Sequence, residues 1–188
     1  AKAKLKSVEK VTPKQEVNKK LLAPNGNETN LTPEQYALVR SKDFKSWFGD
    51  WENDKKNASK FLDENGEPLL LYHVSNELFN EFDEAKSEIG GFFFTEKKPR
   101  YLGIAGSNIY SVFLYLRNPA SFPYLSETLN GYEDVEKYEK KGFDGAIDKD
   151  GHDEYMVFRA NQIRIVSSPS MQSNKPAITP TDEQAEHA

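Results

Sequence analysis

Hydrophobic residues recur at helical spacing in the first third of the chain. Phe44, Trp47 and Phe48 follow the i, i+3, i+4 pattern of one helix face, and Gly49 ends that pattern. Just upstream, residues 32–35 combine a capping threonine, a first-turn proline and a capping-box glutamine. We therefore predict two short helices in this region. We expect the aromatic face to pack into a core or under a lid, with a binding platform as the alternative.

After residue 67 the pattern changes to short apolar runs bounded by turn residues, which is typical of strands. The runs cover residues 68–73, 92–95, 109–116, 146–147, 154–158 and 163–166. One more helix is indicated over residues 126–141, where Val135 and Tyr138 face inward and Gly142 ends the pattern. Strands outnumber helices, and few stand a helix apart as regular βαβ units would. We predict an α+β domain, or a mostly β one, over residues 31–168.

Both ends of the chain lack this periodicity. We predict a basic mobile arm over residues 1–30 and a disordered tail over residues 169–188, where Ser, Pro, Asn and Gln dominate. Residues 1–20 contain seven lysines and two glutamates, a net charge of +5, whereas the whole chain carries −5. We expect the arm to be a solvated tail, with contact to nucleic acid or a membrane as the alternative. The acidic body argues against a broad phosphate-binding surface.

The composition of the chain and the motifs it lacks exclude several classes of site. The chain has no cysteine, which excludes disulfides and cysteine-ligated zinc. No apolar run approaches the about 20 residues that a membrane helix needs, so no membrane association is expected. The sequence contains no P-loop, no dinucleotide-binding glycine fingerprint and no nucleophile elbow. Metal sites need clustered ligands at suitable spacing, and none is found, so no metal is expected.

The run at residues 154–158 places one carboxylate in an otherwise apolar strand. With a strand period of two, Glu154 shares a face with Met156 and Phe158. A carboxylate on an apolar face is costly unless it has a partner or a chemical role. From this strand alone two interpretations stay open, a solvated residue at the strand end and a functional acid.

His73 is the second residue that invites a functional interpretation. It ends the apolar run at residues 68–73 and is followed by Val74 and the hydroxyl of Ser75. A histidine at a strand end is either a structural residue with satisfied hydrogen bonds or part of a site. The residues around it do not decide between the two.

Three short motifs occur in order along the chain. They are Leu71-Tyr72-His73-Val74-Ser75, Gly91-Phe92-Phe93-Phe94-Thr95 and Glu154-Tyr155-Met156-Val157-Phe158. Together they resemble the diphtheria-toxin and poly(ADP-ribose) polymerase branch of the ADP-ribosyltransferase family, which carries His, an aromatic residue and Glu on three strands.

The chain is most similar to the ADP-ribosyltransferase domains of phage and plasmid polyvalent proteins and of related bacterial toxins. Residues 44–51, 63–69 and 142–145 add to this similarity. The resemblance spans about residues 31–168. It implies an α+β, split β-sheet fold with helices at the N-terminus and between strands.

The resemblance also implies roles for particular residues. His73 and Glu154 would be catalytic, with His73 binding the adenosine ribose of NAD and Glu154 stabilising the ribosyl cation as nicotinamide leaves. The backbone of Val74 and the hydroxyl of Ser75 would hold the nicotinamide amide. Phe93 would stack on the nicotinamide ring, and Tyr101 is the candidate for a second stacking aromatic.

The chain departs from the family pattern at three positions. Val74 replaces the usual glycine, so its branched side chain must point away from the pocket. Phe93 lacks the hydroxyl of the usual tyrosine but keeps the stacking face. His152 stands where arginine-modifying relatives have Glu or Gln, which disfavours arginine as an acceptor.

The expected activity is mono-ADP-ribosyl transfer from NAD to a protein, a nucleic acid or a small molecule. An NAD glycohydrolase that uses water as the acceptor, and a non-catalytic module that binds NAD or a partner, are the alternatives. The resemblance to toxins and phage effectors implies action in the cytoplasm of a bacterium or a target cell. It admits an antitoxin or immunity protein as a partner, and we expect a monomer.

Overall fold

The computed structural model describes residues 20–98, 108–123, 129, 131–148 and 154–169. Helices α1 (Pro33–Arg40) and α2 (Lys42–Phe48) follow each other directly, and α3 (Tyr132–Lys140) comes later in the chain. The strands are β1 (Leu71–Ser75), β2 (Phe92–Thr95), β3 (Asn108–Leu114), β4 (Pro119–Phe122), β5 (Gly145–Asp148), β6 (Glu154–Val157) and β7 (Ile163–Ser167). Short 3₁₀ turns span Glu84–Lys86 and Ala160–Gln162.

The two N-terminal helices begin and end as the sequence predicts. The Thr32 side chain accepts a hydrogen bond from the Gln35 backbone N–H, and the Gln35 side chain accepts one from the Thr32 N–H. These two bonds form the predicted capping box. Gly49 ends α2 with φ of 94°, a conformation that glycine adopts without strain.

The strands form one mixed sheet in the order β4-β5-β6-β2-β1-β3-β7. All neighbouring strands are antiparallel except β4 and β5, which are parallel. β1 pairs with β3 at five successive positions, but with β2 only at Tyr72 and Thr95. The sheet is therefore split between β1 and β2.

Apolar clusters cover both faces of this sheet. Val112 and Phe113 are neighbours in the chain but belong to different clusters, and the same is true of Met156 and Val157. One face packs on a cluster that includes Phe61, Leu71, Phe92, Phe94 and Tyr110. The other clusters are built with α1 and α2 (Val39, Phe44, Phe48, Trp51) and with α3 (Val135). This arrangement confirms the predicted α+β class.

Two departures from the predicted strands have identifiable reasons. β1 begins at Leu71 because Pro68 pairs with Leu62 instead, closing a turn at Gly66. β4 is not predicted at all, since Asn118-Pro119 indicates the end of a strand. Pro119 nevertheless begins β4, which lies at an edge of the sheet, where a missing N–H is tolerated.

Residues 20–30 form a turn that packs on the rest of the protein. Leu22 and Glu28 pair across it, and Ala23 is buried. The Asn25 and Asn27 side chains donate hydrogen bonds to the side-chain Oδ1 of Asn65, at 2.8 and 3.1 Å. The division into arm, domain and tail remains a prediction. None of the helices in the described ranges has the length and hydropathy of a membrane-spanning helix.

Candidate active site at the split of the sheet

The split between β1 and β2 is occupied by the side chain of His73. Its Nδ1 lies 2.8 Å from the backbone carbonyl oxygen of Phe93. A carbonyl oxygen only accepts, so Nδ1 carries the proton that it donates. In the neutral imidazole this leaves Nε2 as a hydrogen-bond acceptor. His73 therefore bridges the two strands where their backbone pairing has ended.

Burial controls the charge of this imidazole. The apolar surroundings lower the pKa of His73 below its ordinary value of 6.5, and the hydrogen bond to Phe93 opposes this effect only in part. His73 is consequently neutral at physiological pH. A neutral ring with a free acceptor nitrogen suits a hydroxyl-bearing ligand better than an anion.

Val74 and Ser75 continue β1 beyond the histidine. Val74 lies inside the strand, paired with Ile109, so its backbone is extended and does not need the left-handed conformation that favours glycine. Val74 is 42% exposed. The Ser75 Oγ accepts a hydrogen bond from the Glu77 N–H at 3.0 Å, which leaves its O–H available as a donor.

A cavity of about 780 Å³ opens at the split. Its lining includes His73, Val74, Ser75 and Phe93, four of the residues that the motifs single out. The structure thus brings together residues from two strands that are separated by about twenty positions in the sequence. Tyr101 lies outside the described residues.

Glu154 lies at the start of β6, on the other side of β2 from His73. It is half-buried and pairs with Thr95, which in turn pairs with Tyr72. Paired residues of an antiparallel ladder project to the same face, and so do residues two apart. Glu154 therefore shares a face with Phe93, at a diagonal spacing of about 7–8 Å, whereas the His73 ring projects to the other face, where it packs on Phe94 and Tyr110. Glu154 does not itself line the cavity.

Acidic and basic side chains line the cavity in unequal numbers. Among the lining residues that the structure describes, Lys86 is the one lysine or arginine. Four carboxylates also line the cavity, those of Glu77, Glu81, Asp83 and Glu88. An anionic group that enters the cavity is therefore drawn toward Lys86.

Among the described residues, no group of three or more His, Cys, Asp or Glu side chains is arranged to hold a metal ion.

Several residues at the site are missed by sequence reasoning. Phe79 and Phe82 line the cavity, and Tyr110 packs behind them. Tyr132, the first residue of α3, donates a hydrogen bond to the Ser87 carbonyl and so holds the wall ahead of β2. Residues 78–82 contain the apolar side chains of Leu78, Phe79 and Phe82, but this stretch lies outside every predicted strand and helix.

A family model described as "ADP-Ribosyltransferase in polyvalent proteins" matches residues 63–173, more than half of the chain. Comparisons with curated proteins and with solved structures each returned no match. The matched stretch contains β1, β2 and β6, and with them all three sequence motifs.

Proposed function

The chain belongs to the family of ADP-ribosyltransferases in polyvalent proteins, and on this premise we propose that it is a mono-ADP-ribosyltransferase that uses NAD. The observation that carries the proposal is the split of the sheet. There His73, Val74, Ser75 and Phe93 line one cavity, and Glu154 lies on the neighbouring strand β6, on the same face as Phe93. NAD would lie across this split, with nicotinamide between β1 and β2.

Each residue has a role that its geometry supports. The Nε2 atom of His73 accepts a hydrogen bond from a hydroxyl of the adenosine ribose, because Nδ1–H is already committed to Phe93. The Ser75 O–H donates to the nicotinamide carboxamide, beside the Val74 backbone. The Phe93 ring stacks on nicotinamide, a contact that does not require the hydroxyl of the family's tyrosine.

The reaction breaks the bond between the nicotinamide nitrogen and C1′ of the ribose. The bonding electron pair leaves with nicotinamide, and positive charge develops on the ribose. A fixed carboxylate beside that charge stabilises the transition state, and Glu154 takes this role. The acceptor nucleophile then forms a bond to C1′ and loses its proton, which Glu154 accepts directly or through water.

Labelled NAD tests the proposal directly. NAD carrying the label in its adenosine half is incubated with the protein and a cell extract, and both released nicotinamide and labelled macromolecules are measured. We expect nicotinamide release and a labelled acceptor, both absent in Glu154→Ala.

Each other result selects an alternative. Nicotinamide release without a labelled macromolecule indicates a glycohydrolase, and NAD binding by calorimetry without release indicates a binding module. Equal background rates for wild type and Glu154→Ala would overturn the enzyme proposal. Mass spectrometry of the labelled fraction identifies the acceptor as protein, nucleic acid or small molecule.

A further inference from the structure

The ring of His73 is surrounded by aromatic side chains from three different segments. Phe79 and Phe82 come from the loop between β1 and β2, with ring centroids 6.2 and 5.0 Å from that of the imidazole. Phe94 of β2 and Tyr110 of β3 complete the set, at 5.5 and 6.4 Å. We call these four rings the aromatic cage. The cage and the Phe93 carbonyl together leave the imidazole little freedom to rotate.

The loop that supplies two of these rings is fastened to Tyr110. The Phe79 ring stacks on the Tyr110 ring at 4.2 Å, with an interplanar angle of 7°. The Phe79 N–H donates to the Tyr110 hydroxyl at 2.8 Å, and that hydroxyl donates to the Glu77 carbonyl at 3.3 Å. Tyr110 is fully buried, so the loop is anchored on the core and not on a surface group.

We propose that Phe79 and Phe82, anchored by Tyr110, are positioning residues that hold His73 in one ring orientation and one tautomer. The inference rests on the proposed function, because a fixed Nε2 acceptor matters only if a ligand hydroxyl binds there. The sequence assigns no such role to these residues, since the three motifs do not include them.

The charge of His73 depends on the same rings. The ionisable groups near it are Glu77, Glu81 and Asp83 on the loop and Lys86 and Glu88 on the cavity wall. β2 contributes none, and β3 contributes Tyr110 to the cage. The carboxylates would favour an imidazolium, yet burial among the rings is the larger effect on the pKa of His73 and lowers it. Loss of a cage ring would admit water and weaken the effect of burial on the pKa of His73.

The test is a titration of the imidazole nitrogens by NMR on the full chain without NAD. Histidine is labelled with ¹⁵N, and the His73→Gln variant identifies the His73 signals among those of the three histidines. Phe82→Leu removes one cage ring, and Tyr110→Phe removes only the anchoring hydroxyl. Phe48→Leu is the matched control, because Phe48 is buried in a different cluster and does not contact His73.

In wild type we expect the Nδ1–H tautomer and a midpoint below 6.5. In Phe82→Leu the midpoint should rise by about half to one pH unit, with a mixture of tautomers. In Tyr110→Phe we expect a smaller rise and a roughly tenfold faster amide exchange at Phe79, whose N–H loses its acceptor. The control should leave the His73 midpoint unchanged.

The same variants separate this inference from the proposed function. In turnover assays Phe82→Leu should raise the KM for NAD about three- to tenfold with a smaller effect on kcat, since it disturbs binding geometry. An unchanged His73 titration in both cage variants would overturn the inference even if the enzyme consumes NAD. If the titration moves while wild type fails to bind NAD, the cage is supported and the proposed function is the part that fails.

Discussion

Replacement of Arg40 by methionine should strongly destabilise the protein, because it leaves a buried carboxylate without its partner. The Arg40 guanidinium lies 2.6 Å from a Glu67 carboxylate oxygen, and the Glu67 side chain is 0% exposed. The guanidinium also lies 3.4 Å from the ring centroid of Tyr36 and 5.0 Å from that of Trp51. This pair joins α1 to the turn ahead of β1. The family match begins at residue 63, so α1 lies upstream of the match and Glu67 lies within it.

The size of the effect follows from burial. Removal of one partner of a buried ion pair typically costs about 3–5 kcal/mol, because the remaining charge is uncompensated. The Thr29 hydroxyl still donates to Glu67 in the variant and offsets a part of that cost. With a urea dependence of about 1–3 kcal/mol per molar, the unfolding midpoint should fall by about 2 M.

The assay is urea unfolding followed by the fluorescence of the two tryptophans. Arg164→Met is the matched control, because Arg164 also stacks on an aromatic ring (Trp47, 5.0 Å) and pairs with an acid at 2.8 Å. Its partner Asp43 is 83% exposed, so the expected cost is about 1 kcal/mol or less. Adding Glu67→Gln to Arg40→Met should recover part of the loss. Equal destabilisation by the two arginine variants would refute the reasoning.

Three other predictions address the histidine, the cavity and the sheet. The unfolding free energy of wild type relative to His73→Gln should fall as pH drops below about 6.5, because the unfolded chain then binds a proton that the folded pKa of His73 disfavours. Lys86→Glu should weaken NAD binding by about tenfold in calorimetry without changing the affinity for free nicotinamide, which has no phosphate. Gly145→Ala should cost about 1–3 kcal/mol in thermal unfolding, because a Cβ there collides with the Leu116 side chain and the Met156 carbonyl.

Each of these has its own contrary result. A difference between wild type and His73→Gln that stays constant from pH 8 to 5, roughly the range in which histidine titrates, would contradict the lowered pKa. Equal losses of NAD affinity in Lys86→Glu and in Lys137→Glu, on α3, would show that only overall charge matters. Gly131→Ala is the control for Gly145, since a Cβ at Gly131 has no heavy atom within 4 Å, and equal loss of stability in the two variants would contradict the steric argument.

The elements that local chemistry determines are predictable from the sequence. The capping box at Thr32 and the glycine that ends α2 are signals within a few residues, and both are found as predicted. β2 has its predicted bounds, because Gly90-Gly91 and the polar residues after Thr95 delimit a short apolar run. The period of two along β6 is also a local signal, and it predicts correctly that Met156 and Val157 lie on opposite faces of the sheet.

Features that depend on strand register are not predictable in this way. The cage around His73 draws rings from positions 79, 82, 94 and 110, and only the pairing of β1 with β3 brings Tyr110 opposite His73. The split between β1 and β2 is likewise a property of pairing, which no run of residues encodes locally. β4 is missed because a proline argues against a strand unless the strand is known to lie at an edge.

The rate of nicotinamide release by Glu154→Gln tests the central claim most directly. Glutamine keeps the size and the hydrogen-bonding atoms of the side chain but removes its charge, and Glu136→Gln on the exposed side of α3 is the matched control. If Glu154 stabilises the ribosyl cation, the first variant should release nicotinamide about 100- to 1000-fold more slowly, with NAD affinity nearly unchanged. The control should match wild type. Release by Glu154→Gln at the wild-type rate would contradict the account.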